Sequence, residues 1–282
     1  MSRWRVERLH ADFQLGLKAD KVLFDSETDL QRLVVFENET FGRVLTLDSV
    51  VQTTEKDEFI YHEMLAHLPI FAHGAARKVL IVGGGDGGML EEVLKHPGVE
   101  KVTQVEIDAG VIDFSKQYLP SICRDAYDDP RLDLVIADGA DFAAACEERY
   151  DVAIVDSTDP VGPGEVLFSD TFYGKARNCL APGGILVTQN GVPFLQGAEI
   201  TNTLRAFKAL FADAACYLAT VPTYAGGPMA FGWGCDDAAR RQVSLATLEQ
   251  RYRASGIETR YYNPAVHLGA FALPNYIADL IP

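Results

Sequence analysis

Short apolar runs alternate with stretches of helical spacing through most of this chain. Val79–Val82 is fully apolar, and VTQVEID, LDLVIADG, YDVAIVDSTDP and GGILVTQN come after it at intervals that leave room for a helix between each pair. Runs of this kind read as strands buried on both faces, and their alternation with helices builds βαβ units into a mostly parallel sheet covered on both sides. Beyond them, ACYLATVPTYAGGPMAFGWGC reads as two strands joined at a Gly-Gly-Pro turn, an antiparallel hairpin at the sheet edge with Tyr224 at its bend. Helical stretches at Leu245 to Ala254 and Leu273 to Leu280 close the chain.

Before Thr54 the period is shorter. A strand near Asp12 to Phe24, then LQRLVVFEN, FGRVLTLD and SVVQTT are separated by turn residues at Asp25 to Asp29, Glu37 to Thr40 and Asp48-Ser49. That spacing predicts a small antiparallel meander, which has to pack on the α/β part of the chain or on a second subunit to be stable. Residues 1–54 are therefore expected to form an N-terminal β domain and residues 55–282 an α/β domain. The join is a predicted helix over Glu55 to Phe71, with Thr54 and Asp57 in capping-box spacing and Phe59, Ile60, Met64, Leu65 and Leu68 on its core face. Tyr61 and His62 lie on the same helix, where spacing alone makes them packing or surface residues.

The first apolar strand empties into KVLIVGGGDGG. Gly83, Gly85 and Gly88 have the spacing of a nucleotide-binding turn leading into a helix, predicted here from Met89 to Lys95. Asp86 changes that picture, because a carboxylate in the turn repels a pyrophosphate. It is either a helix N-cap or the anchor of a cationic ligand. In a parallel sheet, ligands bind beyond the carboxyl ends of the strands, so Asp86, Glu106, Asp108, Asp138, Asp156 and Asp159 gather at one rim. Glu106 stands about twenty residues past the turn, the usual place for an acid on ribose hydroxyls. Asp138-Gly139 is placed to meet a base or to make a second polar contact. Asp156 and Asp159 leave a buried strand into a segment of prolines and glycines, suited to an anchored site under a lid, although Asp-Pro is also ordinary turn chemistry.

Composition sharpens this reading. The net charge of −15 over 282 residues argues against nucleic acid and toward cationic small molecules. Converging carboxylates need a cation. No His cluster and no calcium-loop pattern is present, so an organic polycation is expected rather than a metal. Five widely spaced cysteines without a C-x-x-C suggest buried thiols. No apolar run has signal-peptide or membrane-span length, so the expected location is cytoplasmic.

With these residues in view, the chain resembles the bacterial spermidine synthases, the polyamine aminopropyltransferase family. The likeness runs through VVQTTEKDEFIYHEM, VLIVGGGDGG, VEIDAGV, VDSTDPVGPGEVLF, VTQNG, VPTYAGG and RYYNPAVHLGAFALP and covers essentially the whole length. It implies a Rossmann-like sheet of the S-adenosylmethionine methyltransferase type with a small N-terminal β domain, assembled as a homodimer or homotetramer. It also implies transfer of the aminopropyl group of decarboxylated S-adenosylmethionine to putrescine, with no further cofactor. By resemblance, Asp156 is the base and Asp159 holds an ammonium of the amine. Asp86 holds the ammonium of the aminopropyl arm. Glu106 takes the ribose, and Asp138 and Gly139 the adenine, beside Gly83 and Gly85, while Gln31 and Pro163 complete the nucleoside pocket. Tyr61, His62, Gln189 and Tyr224 match positions that line the amine channel. His62 departs from eukaryotic relatives, which tend to have Gln there.

A lone pair is needed for attack on the carbon beside a sulfonium. Freeing one from an amine of pKa about 10.4 near pH 7.5 costs roughly 4 kcal/mol, so a base is required. An S-adenosylmethionine methyltransferase is the competing enzyme, but its donor carries a carboxylate that the acidic rim repels. A non-catalytic polyamine or nucleoside binder is the other alternative. Cadaverine, agmatine or spermidine would need only a different channel length or end group.

Overall fold

The computed structural model describes residues 4–7, 9–27, 31–160 and 162–282, the side chains of 162 and 163 excepted. Near the N-terminus, β1 (Trp4–Val6) and β2 (Gly16–Lys18) pair as a small hairpin. Then β3 (Lys21–Glu27), β4 (Arg32–Asn38), β5 (Gly42–Leu47) and β6 (Val50–Thr54) form an antiparallel meander in that order. The single strand expected from Asp12 to Phe24 is thus divided, because the chain changes partner at Ala19-Asp20. Lys18 offers its carbonyl to Asn38 Nδ2 at 2.9 Å, and Asp20 Oδ2 accepts from Glu39 N at 3.1 Å. Asp25 belongs to a strand rather than to a turn, and it accepts two hydrogen bonds from Arg32, at 2.9 and 3.1 Å. Asp48 and Ser49, with φ of 48° and 71°, make the two-residue hairpin turn predicted there.

Strand β4 is buried on both faces. Leu33 and Val35 pack with Val111, Phe114 and Ile122, while Val34 and Phe36 pack with Leu17, Val44 and Val51. The meander therefore rests on helices from the α/β part of the chain, as its size requires.

Helix α1 (Glu58–His73) begins three residues later than expected. Asp57 takes the N-cap position, but its side chain makes no capping hydrogen bond. Thr54 Oγ1 donates to Asp57 Oδ1 at 2.6 Å, and Asp57 Oδ2 accepts from the backbone N–H and hydroxyl of Thr223 at 2.9 and 2.8 Å. Ile60, Met64, Leu65 and Leu68 are buried as predicted, with Phe59 half-buried, but so are most residues of the opposite face. Glu63 is one of these. Its carboxylate accepts from the backbone N–H groups of Arg260, Tyr261 and Tyr262 at 2.7, 2.8 and 2.8 Å, tying the C-terminal segment to α1. Glu63→Gln is expected to lower the free energy of unfolding by about 2 kcal/mol at unchanged m in urea titrations, since the amide cannot accept all three.

The remaining chain runs β7 (Lys78–Gly83), α2 (Gly88–Leu94), β8 (Lys101–Glu106), α3 (Ala109–Tyr118), α4 (Pro120–Cys123), β9 (Leu132–Ile136), α5 (Gly139–Ala145), β10 (Tyr150–Asp156), α6 (Asp170–Asn178), β11 (Leu180–Gln189) and α7 (Pro193–Leu210). After these come β12 (Asp213–Ala219), β13 (Met229–Cys235), α8 (Leu245–Ser255), α9 (Pro264–Gly269) and α10 (Asn275–Ala278). Among the described residues the sheet has the order β12-β13-β11-β10-β7-β8-β9. Strands β11 through β9 are parallel, and β13 runs antiparallel to both its neighbours. This is the expected Rossmann-like sheet, with the hairpin β12–β13 at its edge.

Helix α9 lies outside the helical stretches that the sequence pattern predicts. Asn263 caps it by accepting from Ala265 N and Val266 N, with Pro264 in its first turn, so the Asn-Pro pair is its signal. Four of the five free cysteines are buried and Cys146 is half-buried. Among the described residues no helix is long and apolar enough to cross a membrane.

Candidate active site

The order of strands across the sheet reverses between β7 and β10, whose carboxyl ends lie side by side with Asp156 opposite Gly83. Gly84 N donates to the Asp156 carbonyl at 3.0 Å, joining the glycine turn to the end of β10. Gly83 has φ of +91°, and a Cβ there would stand 2.0 Å from that carbonyl oxygen, so only glycine permits the junction. Gln104, fully buried on β8, donates to the carbonyls of Gly83 and Gly84 at 3.0 and 2.8 Å. Tyr127 Oη donates to Gly85 O at 2.9 Å.

A cavity of about 450 Å³ opens at this point. Its wall brings together Gln31, Tyr61, His62, Gly83, Gly85, Asp86, Glu106, Asp138, Gly139, Asp156, Asp159, Gln189 and Tyr224. These are all the residues given a site role from sequence except Pro163, whose side chain lies outside the described ones. Gly164, Val166 and Leu167, from the 3₁₀ segment Gly162–Phe168, add to the same wall.

Tyr61 Oη donates to Asp156 Oδ1 at 2.7 Å, while Asp156 Oδ2 is buried and takes no hydrogen bond from any described residue. Burial raises this carboxyl to about 6, with Asp86 adding to the rise and His62 and Tyr61 opposing it. Next to it runs a chain of acid, imidazole and acid. His62 Nδ1 lies 2.7 Å from Glu58 Oε2, and Nε2 lies 3.5 Å from Asp86 Oδ2. Burial pulls His62 down, yet Asp86 and Glu58 together outweigh it and lift the imidazole to about 10. Both ring nitrogens then carry a proton, Nδ1 donating to Glu58 and Nε2 facing Asp86 as an ion pair, so that His62 is a cation between two carboxylates. Asp86 is not the N-cap of α2, a position that Gly87 takes, but its Oδ1 accepts from Gly88 N at 3.0 Å at the start of that helix.

At the other side of the turn, Glu106 Oε1 accepts from Asp108 N at 3.0 Å, and burial raises its carboxyl to about 7. Asp138 caps α5, accepting from Ala140 N at 2.7 Å and Asp141 N at 3.2 Å. Gln189 donates to the carbonyls of Ser157 and Thr158 at 3.1 and 3.0 Å, fixing the segment that carries Asp159. Tyr224 donates to the Gln52 carbonyl and meets Tyr61 edge-on, with ring centroids 5.8 Å apart. Sequence reasoning missed Glu58, Gln104, Tyr127 and Gln196. Glu58 could have been found from its place four residues before His62 on one helix, and Gln104 as the polar residue inside an apolar strand.

A parallel sheet with a glycine turn at its switch point, a strand-end acid beside the turn and a cavity with several carboxylates in its wall has the form of a nucleoside site whose charge suits a cationic ligand. Residues 58–243 match the spermine/spermidine synthase domain and residues 3–55 the spermidine synthase tetramerisation domain. The chain belongs to the spermine/spermidine synthase family. It is 63% identical over 279 residues to a polyamine aminopropyltransferase of a Ruegeria species, covering 99% of this chain and 98% of that one. It is 58% identical over 275 residues to polyamine aminopropyltransferase 1 of Pseudomonas aeruginosa, covering 98% and 96%. Among solved structures, a spermidine synthase in complex with the transition-state analogue AdoDATO superposes with a TM-score of 0.94 at 37% identity, over 99% of this chain and 94% of that one.

Proposed function

We propose that this enzyme transfers the aminopropyl group of decarboxylated S-adenosylmethionine to putrescine, giving spermidine and 5′-methylthioadenosine. The observation that carries the reading is the Asp156 carboxyl, anchored on one oxygen by Tyr61 and buried without a donor on the other. A buried acceptor left unmet is costly, and an ammonium group supplies the missing donor. Asp156 then takes the proton as the amine nitrogen attacks the carbon beside the sulfonium. The carbon–sulfur bond breaks, its electrons stay on sulfur, and the leaving group departs as a neutral thioether.

In this reading Asp159 holds an ammonium of the amine, Asp86 that of the aminopropyl arm, and Glu106 the ribose. Asp138 and Gly139 meet the adenine, with Gly83 and Gly85 beneath the nucleoside and Gln31 and Pro163 closing its pocket. Tyr61, His62, Gln189 and Tyr224 form the amine channel. The donor brings its own leaving group, so no cofactor is required. A cytoplasmic homodimer or homotetramer, with 1–54 and 55–282 as its two domains, completes the proposal. The match of residues 3–55 to a tetramerisation domain supports the assembly.

The test is a product assay. Purified protein is given decarboxylated S-adenosylmethionine with putrescine, cadaverine, agmatine or spermidine, and products are followed by mass spectrometry. Methylthioadenosine and spermidine formed in equal amounts, fastest with putrescine, are expected. Faster turnover of another amine would overturn the substrate, and no turnover of any would overturn the reaction.

A further inference from the structure

The first turn of α7 is irregular at Gln196, which adopts φ −124° and ψ 36° inside the helix. Its amide is held at three points. Oε1 accepts from Val192 N at 3.0 Å, and Nε2 donates to Asp159 Oδ1 at 2.7 Å and Glu199 Oε1 at 2.9 Å. Both amide hydrogens are spent, one on each carboxylate, and a flipped amide would set oxygen against oxygen. Gly191 makes room for this arrangement. It has φ of +63°, and a Cβ there would lie 2.7 Å from Gln196 Oε1 and 2.8 Å from Glu199 Oε2.

A broken helical turn, a left-handed glycine and two carboxylates bound to one amide all serve a single side chain. Local backbone departures of this kind gather where position matters. Gln196 lines the cavity and contacts Asp159, the carboxylate given to the amine. Glu199 stands behind Gln196, its Oε2 buried and without a donor among the described residues. Burial, and then the charge of Asp159, raises the Glu199 carboxyl to about 7.

Resting on the aminopropyl-transfer reading above, we infer that Gln196 limits the length of the acceptor amine and that Glu199 acts through it as a positioning residue. With Asp159 Oδ1 occupied by the amide, the far ammonium of the amine binds the other oxygen. The amide closes the channel at that depth. A diamine one methylene longer has to place its ammonium where the amide stands, and is discriminated against by the modest factor that a methylene allows.

Calorimetric titration of putrescine and of cadaverine, each with 5′-methylthioadenosine present, together with initial rates for both amines, tests this in wild type, Gln196→Ala and Glu199→Gln. In Gln196→Ala the cadaverine-to-putrescine ratio, in affinity and in kcat/KM, is expected to rise about tenfold. Glu199→Gln moves the ratio the same way by a smaller factor, and the affinity for methylthioadenosine holds in both variants. Should Gln196→Ala not fold, Gln196→Asn, which keeps the amide and shortens its stem by one methylene, carries the same expectation. An unchanged ratio overturns the inference, whatever the absolute loss. A wild-type protein that binds both amines but turns over neither sinks the reaction while the binding ratio still decides the role of Gln196. Wild type that binds neither amine overturns both.

Discussion

Asp156→Asn is expected to lower kcat by about 10³-fold while the affinity for methylthioadenosine changes little, because a general base contributes roughly 10² to 10⁴. Asn keeps the shape of the side chain and can still accept from Tyr61, but it cannot take a proton. The amine then stays an ammonium and has no lone pair to offer. Burial, by raising the Asp156 carboxyl from 3.8 to about 6, brings it closer to an amine near 10.4 and reduces the mismatch by about 3 kcal/mol. This shift also sets the sign of the pH dependence. Below about pH 6 the carboxyl is protonated and idle, so kcat/KM of the wild type rises as pH passes upward through that value. This limb disappears in Asp156→Asn. Single-turnover release of methylthioadenosine across pH 5 to 9 would read both effects, and a loss under tenfold would move the base to another carboxylate.

The sheet was legible because β7, β8, β10 and β11 carry short, largely apolar runs, a pattern that needs no knowledge of partners. Strand β9, by contrast, lies at the edge with Leu134 and Ile136 exposed and is not buried on both faces. The acids at the strand ends were legible for a related reason, since the topology of a parallel sheet delivers every carboxyl end to one rim. What sequence concealed depends on contacts between distant segments. Thr54 and Asp57 have capping-box spacing, yet Asp57 spends one carboxylate oxygen on the Thr54 hydroxyl and the other on Thr223, 166 residues away. Asp25 has turn chemistry, but Arg32 across the hairpin holds it in a strand. Gln196 carries no local signal, because its role comes from Asp159, which precedes it by 37 residues, and from the glycine that makes space for it. The resemblance pointed to His62, which does line the cavity, whereas its charge was not visible in sequence. That charge arises from Glu58 on its own helix and Asp86 in the glycine turn, and only the second requires the fold.

This pairing makes Asp86 more than one carboxylate among several. Asp86→Asn is expected to lower kcat/KM for decarboxylated S-adenosylmethionine by about 10²- to 10³-fold, because removing one partner of a buried pair leaves the other uncompensated. The loss is twofold in origin. The aminopropyl arm loses its counter-charge, and His62 remains as a cation in a site built to receive cations. Asp86 is foremost among the groups that hold His62 at about 10, so its removal lets burial pull the imidazole down. As pH rises from about 7 to 9, the variant's His62 gives up its proton earlier than that of the wild type, and the gap between the two enzymes narrows. The double variant with His62→Gln, which removes the stranded charge, is expected to regain about tenfold at pH 7, a coupling that independent sites do not show. Initial rates of the wild type, Asp86→Asn, His62→Gln and the double variant at pH 7, 8 and 9 decide the matter. A constant gap with no recovery in the double variant would mean that His62 is neutral and that Asp86 faces the substrate alone.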